Sequence, residues 1–294
     1  MTPSAAPEGH PRVTPLALEL RVHLAHASIT RLMDAAGVRA LHLKGYAAEP
    51  GLYREGRTST DVDILVPPTD ADRACAALAD HGWDRIAGFS EGSIFQHAAT
   101  LWHSHLGYVD VHRSFPGLGP DPALTFERLW TTHTTRVIAG RPVPVPGLTH
   151  QRLVIVVHAA RDSGRGRSDV AHLRHTLSAE EWGRLRGEAE SLGAGAAWRA
   201  ATGEGGGAAD ASEERIFAAL QADEAGVDLL AARWAAATGP RARLALVRRA
   251  IPVNRPHLQM RLGRPPTRVD IAREQLGRVR ELIAWALRRA GGRG

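Results

Sequence analysis

Residues 59–68 read Ser-Thr-Asp-Val-Asp-Ile-Leu-Val-Pro-Pro, an alternation of acidic and β-branched positions that stops on two prolines. A period of two puts Asp61 and Asp63 on one face of a strand and Val62, Ile64 and Val66 on the other. Residues 38–45, from Val38 to Gly45, predict a preceding strand. Upstream, residues 14–36 predict a helix with Thr14 as its cap and Pro15 in its first turn. Leu16, Leu20, Leu24, Ile29 and Leu32 form its apolar stripe. Downstream, Thr69 with Asp72 predicts the opening of a helix over 70–82 that closes on Gly82. In residues 98–115, Asp110 and His112 alternate with Val109 and Val111, which predicts a β-hairpin turning around Gly107.

After a Pro/Gly-rich stretch at 116–122 the pattern becomes helical. A short helix near 122–130 and the segment 140–147 lead into this half. Thr149 is placed to cap a helix through 150–162, and Ser178 with Glu181 forms a capping box for a helix ending at Gly193. Residues 203–214 are a glycine-rich break, and the last helix covers 273–290. The fold expected is therefore an α/β (α+β) core with a small mixed sheet, followed by an α-helical C-terminal domain. Residues 1–13 are expected to be disordered and 14–118 to form the catalytic core with its leading helix. The mainly helical part is 119–294, with a flexible break near 203–212 and a basic C-terminal segment.

Composition narrows the class. Hydrophobic residues at 44% and charged residues at 23% are ordinary for a globular chain. One cysteine, Cys75, rules out an internal disulfide framework and fits an apolar helix face in a reducing cytosol. The N-terminus lacks the apolar run of a signal peptide, and the longest apolar stretch, 153–157, is far short of a membrane span. A cytoplasmic protein without membrane contact is expected. The net charge of +6 is uneven: residues 239–294 carry fourteen arginines and three acids, a local +11 that leaves the remainder near −5. That segment suits nucleic acid, a nucleoside triphosphate or an acidic partner; a solvated arginine-rich helix is the alternative.

Two carboxylates side by side on a strand repel each other. A divalent cation offsets the repulsion, and Mg²⁺ takes oxygen ligands while keeping places for phosphates; two solvated acids at an exposed strand end are the plainer reading. If the strand bearing Asp110 lies alongside, three carboxylates converge, a set suited to phosphoryl chemistry. Lys44 is the only lysine among 37 cationic side chains. It offers a compact ammonium to phosphate, and Gly45 lets backbone approach a ligand closely. Arg57, four residues before Asp61, is a second phosphate candidate.

The set Leu43-Lys44-Gly45, Leu52-Tyr53, Arg57, Asp61-Val62-Asp63-Ile64-Leu65-Val66, Gly82-Trp83 and Asp110-Val111-His112 resembles a largely uncharacterised bacterial branch of the DNA polymerase β-like nucleotidyltransferase superfamily. His158, Arg161, Asp169 and Glu181-Trp182 extend the resemblance loosely to about residue 200. The resemblance implies transfer of a nucleoside monophosphate from a nucleoside triphosphate, with release of pyrophosphate. It also implies that Asp61 and Asp63 hold two Mg²⁺ ions, with Mn²⁺ as a substitute, and that Asp110 joins them at the ion that activates the acceptor. Lys44, Gly45, Arg57 and Ser59 become the nucleotide- and phosphate-binding set. His112 becomes the residue that orients a ligand carboxylate, while His158, Arg161 and Asp169 lie around the site or toward the acceptor. Two features depart from the superfamily pattern: Lys44-Gly45-Tyr46 replaces Gly-Ser, as is normal for the branch, and Asp110 stands where a longer Glu is more usual. Members of the branch occur beside genes for modified peptides and other secondary metabolites, which points to a peptide or small-molecule acceptor. Two other functions compete: a non-catalytic, antitoxin-like regulator that binds a nucleotide or partner, and a tRNA- or RNA-modifying enzyme that uses the basic C-terminal segment. The complete acid set speaks against the first.

Overall fold

In the computed structural model, residues 16–89, 97–162, 165–205, 211–221 and 266–291 are described, together with positions 239, 253, 258 and 262. Helix α1 (Leu18–Ala35) buries Val22, Ala25, Ile29, Leu32 and Met33, a spacing of three and four that makes one apolar face. The chain then runs through β1 (Leu41–Leu43), a 3-10 turn at Gly45–Ala47 and β2 (Asp61–Leu65). A second 3-10 turn at Pro68–Asp70 leads into α2 (Ala71–Ala79), followed by β3 (Asp84–Ala87), β4 (Ala98–His103) and β5 (Gly107–His112).

The five strands form one mixed sheet in the order β1-β2-β5-β4-β3, in which only β2 and β5 are parallel. Its two faces are chemically distinct. Val62, Ile64, Val66, Val109 and Val111 pack with α1 and α2, including Cys75, in one apolar cluster. Burial of Ile64 contributes about 1.5–3 kcal/mol, and truncation to alanine would cost about 2–5 kcal/mol. Leu41, Leu43 and Leu65 face the other way and join the cluster built on the later helices.

That second layer begins with α3 (Pro122–Thr131), where the Asp121 side chain accepts the N–H groups of Ala123 and Leu124 and Pro122 takes the first helical position. A hairpin of β6 (Thr134–Ile138) and β7 (Arg141–Val145) follows and packs against α1, with β7 also against β1. The helices α4 (Leu148–Ala159), α5 (Arg165–Thr176), α6 (Ala179–Ser191) and α7 (Gly195–Thr202) complete the layer. Beyond them the described residues include α8 (Ala211–Gln221) and α9 (Arg268–Gly291). No helix among the described residues is long and apolar enough to cross a membrane.

Several local expectations need correction. The expected stripe of α1 holds at Ile29 and Leu32, which are buried, but Leu20 and Leu24, with Leu16 before the helix, are exposed, and the smaller Val22, Ala25 and Thr30 turn inward beside Met33. Thr69 and Asp72 do not cap α2, which begins after Asp70 with no side-chain cap bond. Helix α4 starts after Gly147 rather than Thr149, and a Cβ at 147 would stand 2.6 Å from the Thr132 carbonyl oxygen, so the position takes glycine. The 119–294 region contains a hairpin that its prolines disguised: Pro142 and Pro144 lie in β7, and Ala139 and Gly140 turn the chain with φ of +48° and +77°. Strand β3 was also not expected. The capping box of α6 is present as read, with Ser178 and Glu181 bonded reciprocally. The expected N-terminal disorder, the Thr14–Pro15 start, the centre of the 203–212 break and much of the basic segment lie outside the described residues.

Candidate active site

The register of the sheet builds the site. Asp63 stands opposite Asp110 across the parallel β2–β5 pair, and Leu43 stands opposite Asp63 on its other side. Lys44 follows Leu43, so the end of β1 delivers its ammonium to the same acid: Lys44 Nζ lies 3.0 Å from Asp63 Oδ2. The delivery is strained. Lys44 has φ +53° and ψ −175°, a conformation populated essentially by glycine, which costs of order 1–3 kcal/mol and persists only where the surroundings enforce it. Gly45 follows at φ +53°, and a Cβ there would stand 2.5 Å from Ser59 Oγ. The glycine thus permits close approach of Ser59.

The second oxygen of Asp63 is also engaged, since His112 Nε2 donates to Oδ1 at 2.7 Å. Burial would push the Asp63 carboxyl upward, but the Lys44 ammonium and the His112 contact outweigh it and hold the group well below the usual carboxylate range. Asp61 and Asp110 behave in the opposite way. Burial first, then the charge of Asp63, push both upward. Asp110 Oδ1 accepts a 2.6 Å hydrogen bond from Thr100 Oγ1, its register partner on β4. Ser59 Oγ donates to the Asp61 backbone carbonyl at 3.1 Å and lies 3.4 Å from Asp61 Oδ1.

Ligand atoms of Asp63, Asp110 and His112 all lie within 4.8 Å of one another. Asp61 projects from the same face of β2. Oxygen donors of this kind, two of them held at a cost while ionised, fit a hard divalent cation. His112 is committed to Asp63 through Nε2, and its Nδ1 is buried without a hydrogen-bond partner among the described residues. It suits the role of orienting a carboxylate better than that of a ligand.

A basic wall adjoins the acids. The Phe115 ring carries Lys44 Nζ at 5.9 Å and Arg161 Cζ at 4.9 Å from its centroid. Arg161 Nη1 donates to His97 Nε2 at 3.2 Å, and the His97 ring lies 5.1 Å from that of His112. Burial, then His112 and Arg161, lower His97 to about 2, and His158 is likewise held well below its ordinary value by burial, Lys44 and Arg161. Burial lowers Arg161 to about 10, partly offset by Asp63. Among the described residues no carboxylate lies within ion-pair distance of Arg161.

Arg57 engages groups of the protein itself. Its Nε lies 3.4 Å from Asp169 Oδ2 on α5, its Nη1 donates to the Thr58 carbonyl at 2.6 Å, and its guanidinium covers Tyr53. The pair ties the loop before β2 to the helical layer, while Asp169 Oδ1 is buried with no hydrogen-bond partner among the described residues. Three neighbours escaped the sequence reading: Thr100, His97 and Phe115. The first was within reach, because the hairpin register that sets Trp102 against Tyr108 also sets Thr100 against Asp110.

A family model described as an uncharacterised nucleotidyltransferase matches residues 17–203, from the residue before α1 to the residue after α7. Among solved structures, a lincosamide antibiotic adenylyltransferase, LnuA, with lincomycin bound, is similar at 17% identity over 58% of this chain and 96% of that chain, with a TM-score of 0.33. The antibiotic-resistance factor ANT(2'')-Ia is similar at 15% identity over 58% of this chain and 91% of that chain, with a TM-score of 0.40. None of the curated proteins matches the sequence.

Proposed function

Because the chain belongs to this nucleotidyltransferase family, we propose that it transfers a nucleoside monophosphate from a nucleoside triphosphate to a hydroxyl or phosphate of a peptide or small molecule, using Mg²⁺ and releasing pyrophosphate. The observation that carries this reading is the register of Asp63 against Asp110, with Asp61 on the same face of β2. In it, Asp61, Asp63 and Asp110 hold Mg²⁺. When bound, the cation neutralises phosphate charge and lowers the pKa of a coordinated hydroxyl.

The chain's own residues divide the remaining work. His112 keeps Asp63 ionised and oriented through the 2.7 Å contact, and Thr100 orients Asp110. Lys44 and Arg161 are the cations available to triphosphate oxygens, with Gly45 and Ser59 shaping the turn beside them. Arg57 and Asp169 fix the loop between β1 and β2 against α5, and His158 sits neutral behind the phosphate side.

The test is incubation of the protein with each nucleoside triphosphate, Mg²⁺ and a cell extract as acceptor source, followed by pyrophosphate assay and mass spectrometry. Mass increments equal to a nucleoside monophosphate, lost in Asp61→Ala and Asp63→Ala, are expected. A wild-type protein that binds no nucleoside triphosphate in the presence of Mg²⁺ would end the proposal.

A further inference from the structure

Lys44 stands where the incoming cation must go. Its ammonium lies 3.0 Å from Oδ2 of Asp63, the central acid, and both side chains are largely buried. The other Asp63 oxygen is taken by His112. A divalent ion approaching Asp63 therefore meets a positive charge already on its ligand, and the two repel at short range. The ammonium is largely withdrawn from solvent, at 14% side-chain exposure, and lies 5.9 Å from the Phe115 ring centroid. The other anions that act on it, Asp61 and Asp110, belong to the same acid set that the ion engages, so to leave it needs an anion outside that set. A triphosphate supplies that anion, and a lysine can follow it: its head group is a point charge on a flexible stem, whereas an arginine fork would demand a fixed planar partner.

We propose that Lys44 is the resident counterion of the metal site, holding Asp63 in the free protein and passing to the triphosphate when Mg²⁺ takes its place. The inference rests on the nucleotidyl-transfer reading above and adds to it a binding order: metal and triphosphate enter interdependently, coupled through one side chain. Such coupling is reciprocal, each ligand strengthening the other by the same factor.

The sequence makes the test direct, because Lys44 is the only lysine in the chain. Protein grown with lysine labelled with ¹³C at Cε gives one side-chain signal from the native sequence. That signal is expected to stay near its starting position with Mg²⁺ at low concentration and to shift when Mg²⁺ and inorganic tripolyphosphate are added together. Asp63→Asn alone is expected to shift it as well. In calorimetry without any phosphate, Lys44→Gln is expected to bind Mg²⁺ about tenfold more tightly than wild type, a coupling within the ordinary range. Arg161→Gln removes an equal charge without vacating Asp63 and is expected to change the affinity by less than about threefold. A Lys44 signal that stays put while Mg²⁺ and tripolyphosphate bind would overturn the inference and leave the transferase reading intact. Equal Mg²⁺ affinity in wild type and a folded Lys44→Gln would overturn it in the same way. If Lys44→Gln does not fold, the labelled wild type decides alone. Failure to bind Mg²⁺ with either tripolyphosphate or nucleoside triphosphate would overturn both.

Discussion

Asp110 lies directly opposite Asp63 across two parallel strands, yet the two carboxyls are shifted in opposite directions. Asp63 has Lys44 and His112 against it and stays ionised, whereas Asp110 has a threonine hydroxyl and the charge of Asp63. One acid anchors the site; the other waits for a cation.

This asymmetry predicts different signs of stability change. Without added metal, Asp110→Asn and Asp61→Asn remove carboxylates whose charged form is disfavoured, and both are expected to melt with wild type or a few degrees above it. Asp63→Asn leaves the Lys44 ammonium without its partner and is expected to cost about 3 kcal/mol, as for other broken buried pairs. All three are expected to lose nucleotidyl transfer. Thermal melts in the presence of a chelator check the order, and an Asp110→Asn protein as unstable as Asp63→Asn would contradict it.

Thr100→Val keeps shape and removes the 2.6 Å hydrogen bond to Asp110. Residues that orient metal-binding carboxylates typically matter by 10–100-fold, so kcat is expected to fall by about that factor with little change in the KM for nucleoside triphosphate. A fall confined to KM would instead place Thr100 in substrate binding.

Some of this was open to reading in the sequence, and the reasons are physical. Strand β2 announces itself because one face is acidic and the other β-branched, and a period of two cannot be confused with a helix. The pairing of Asp63 with Asp110 required only that β5 lie beside β2. Helix α1 misled because its exposed Leu16, Leu20 and Leu24 are larger than the Ala25, His26 and Thr30 that turn inward. Strand β7 escaped because Pro142 and Pro144 cannot donate to a ladder, which a two-stranded hairpin tolerates. The basic wall was illegible for a different reason: Arg161, just after α4, meets His97 and Phe115 only in the tertiary fold, and no local pattern encodes that contact.

Arg161 is a partly buried cation without a carboxylate partner among the described residues, an arrangement that costs stability unless an anion arrives. Arg161→Met is therefore expected to leave the fold as stable as wild type or more so. The same substitution is expected to raise the KM for nucleoside triphosphate by about tenfold or more, the worth of one charge-assisted contact. Urea unfolding together with steady-state kinetics checks both halves. A variant that is destabilised with unchanged KM would make Arg161 a structural support for His97 and Phe115.

On the opposite face of the sheet, His26 Nδ1 and His42 Nδ1 lie 2.8 Å apart, and Thr30 Oγ1 lies 3.0 Å from His42 Nε2. Two ring nitrogens that close can share only one proton, so the two rings cannot both be charged in the fold. Burial lowers His26 to about 3, with His23 adding to the effect, and burial with His26 holds His42 well below its ordinary value. An unfolded histidine titrates near 6.5, so as pH falls below that value the unfolded chain takes up protons that the folded chain refuses. Stability is thus complete above about pH 6.5 and is lost progressively toward pH 3, by up to roughly 1.4 kcal/mol per pH unit for each histidine. Urea midpoints at pH 7.5 and pH 5 should show the loss, and His26→Gln should reduce its slope by up to one histidine's share. Equal midpoints at the two pH values, or a higher one at pH 5, would show that the buried pair accepts a proton without unfolding.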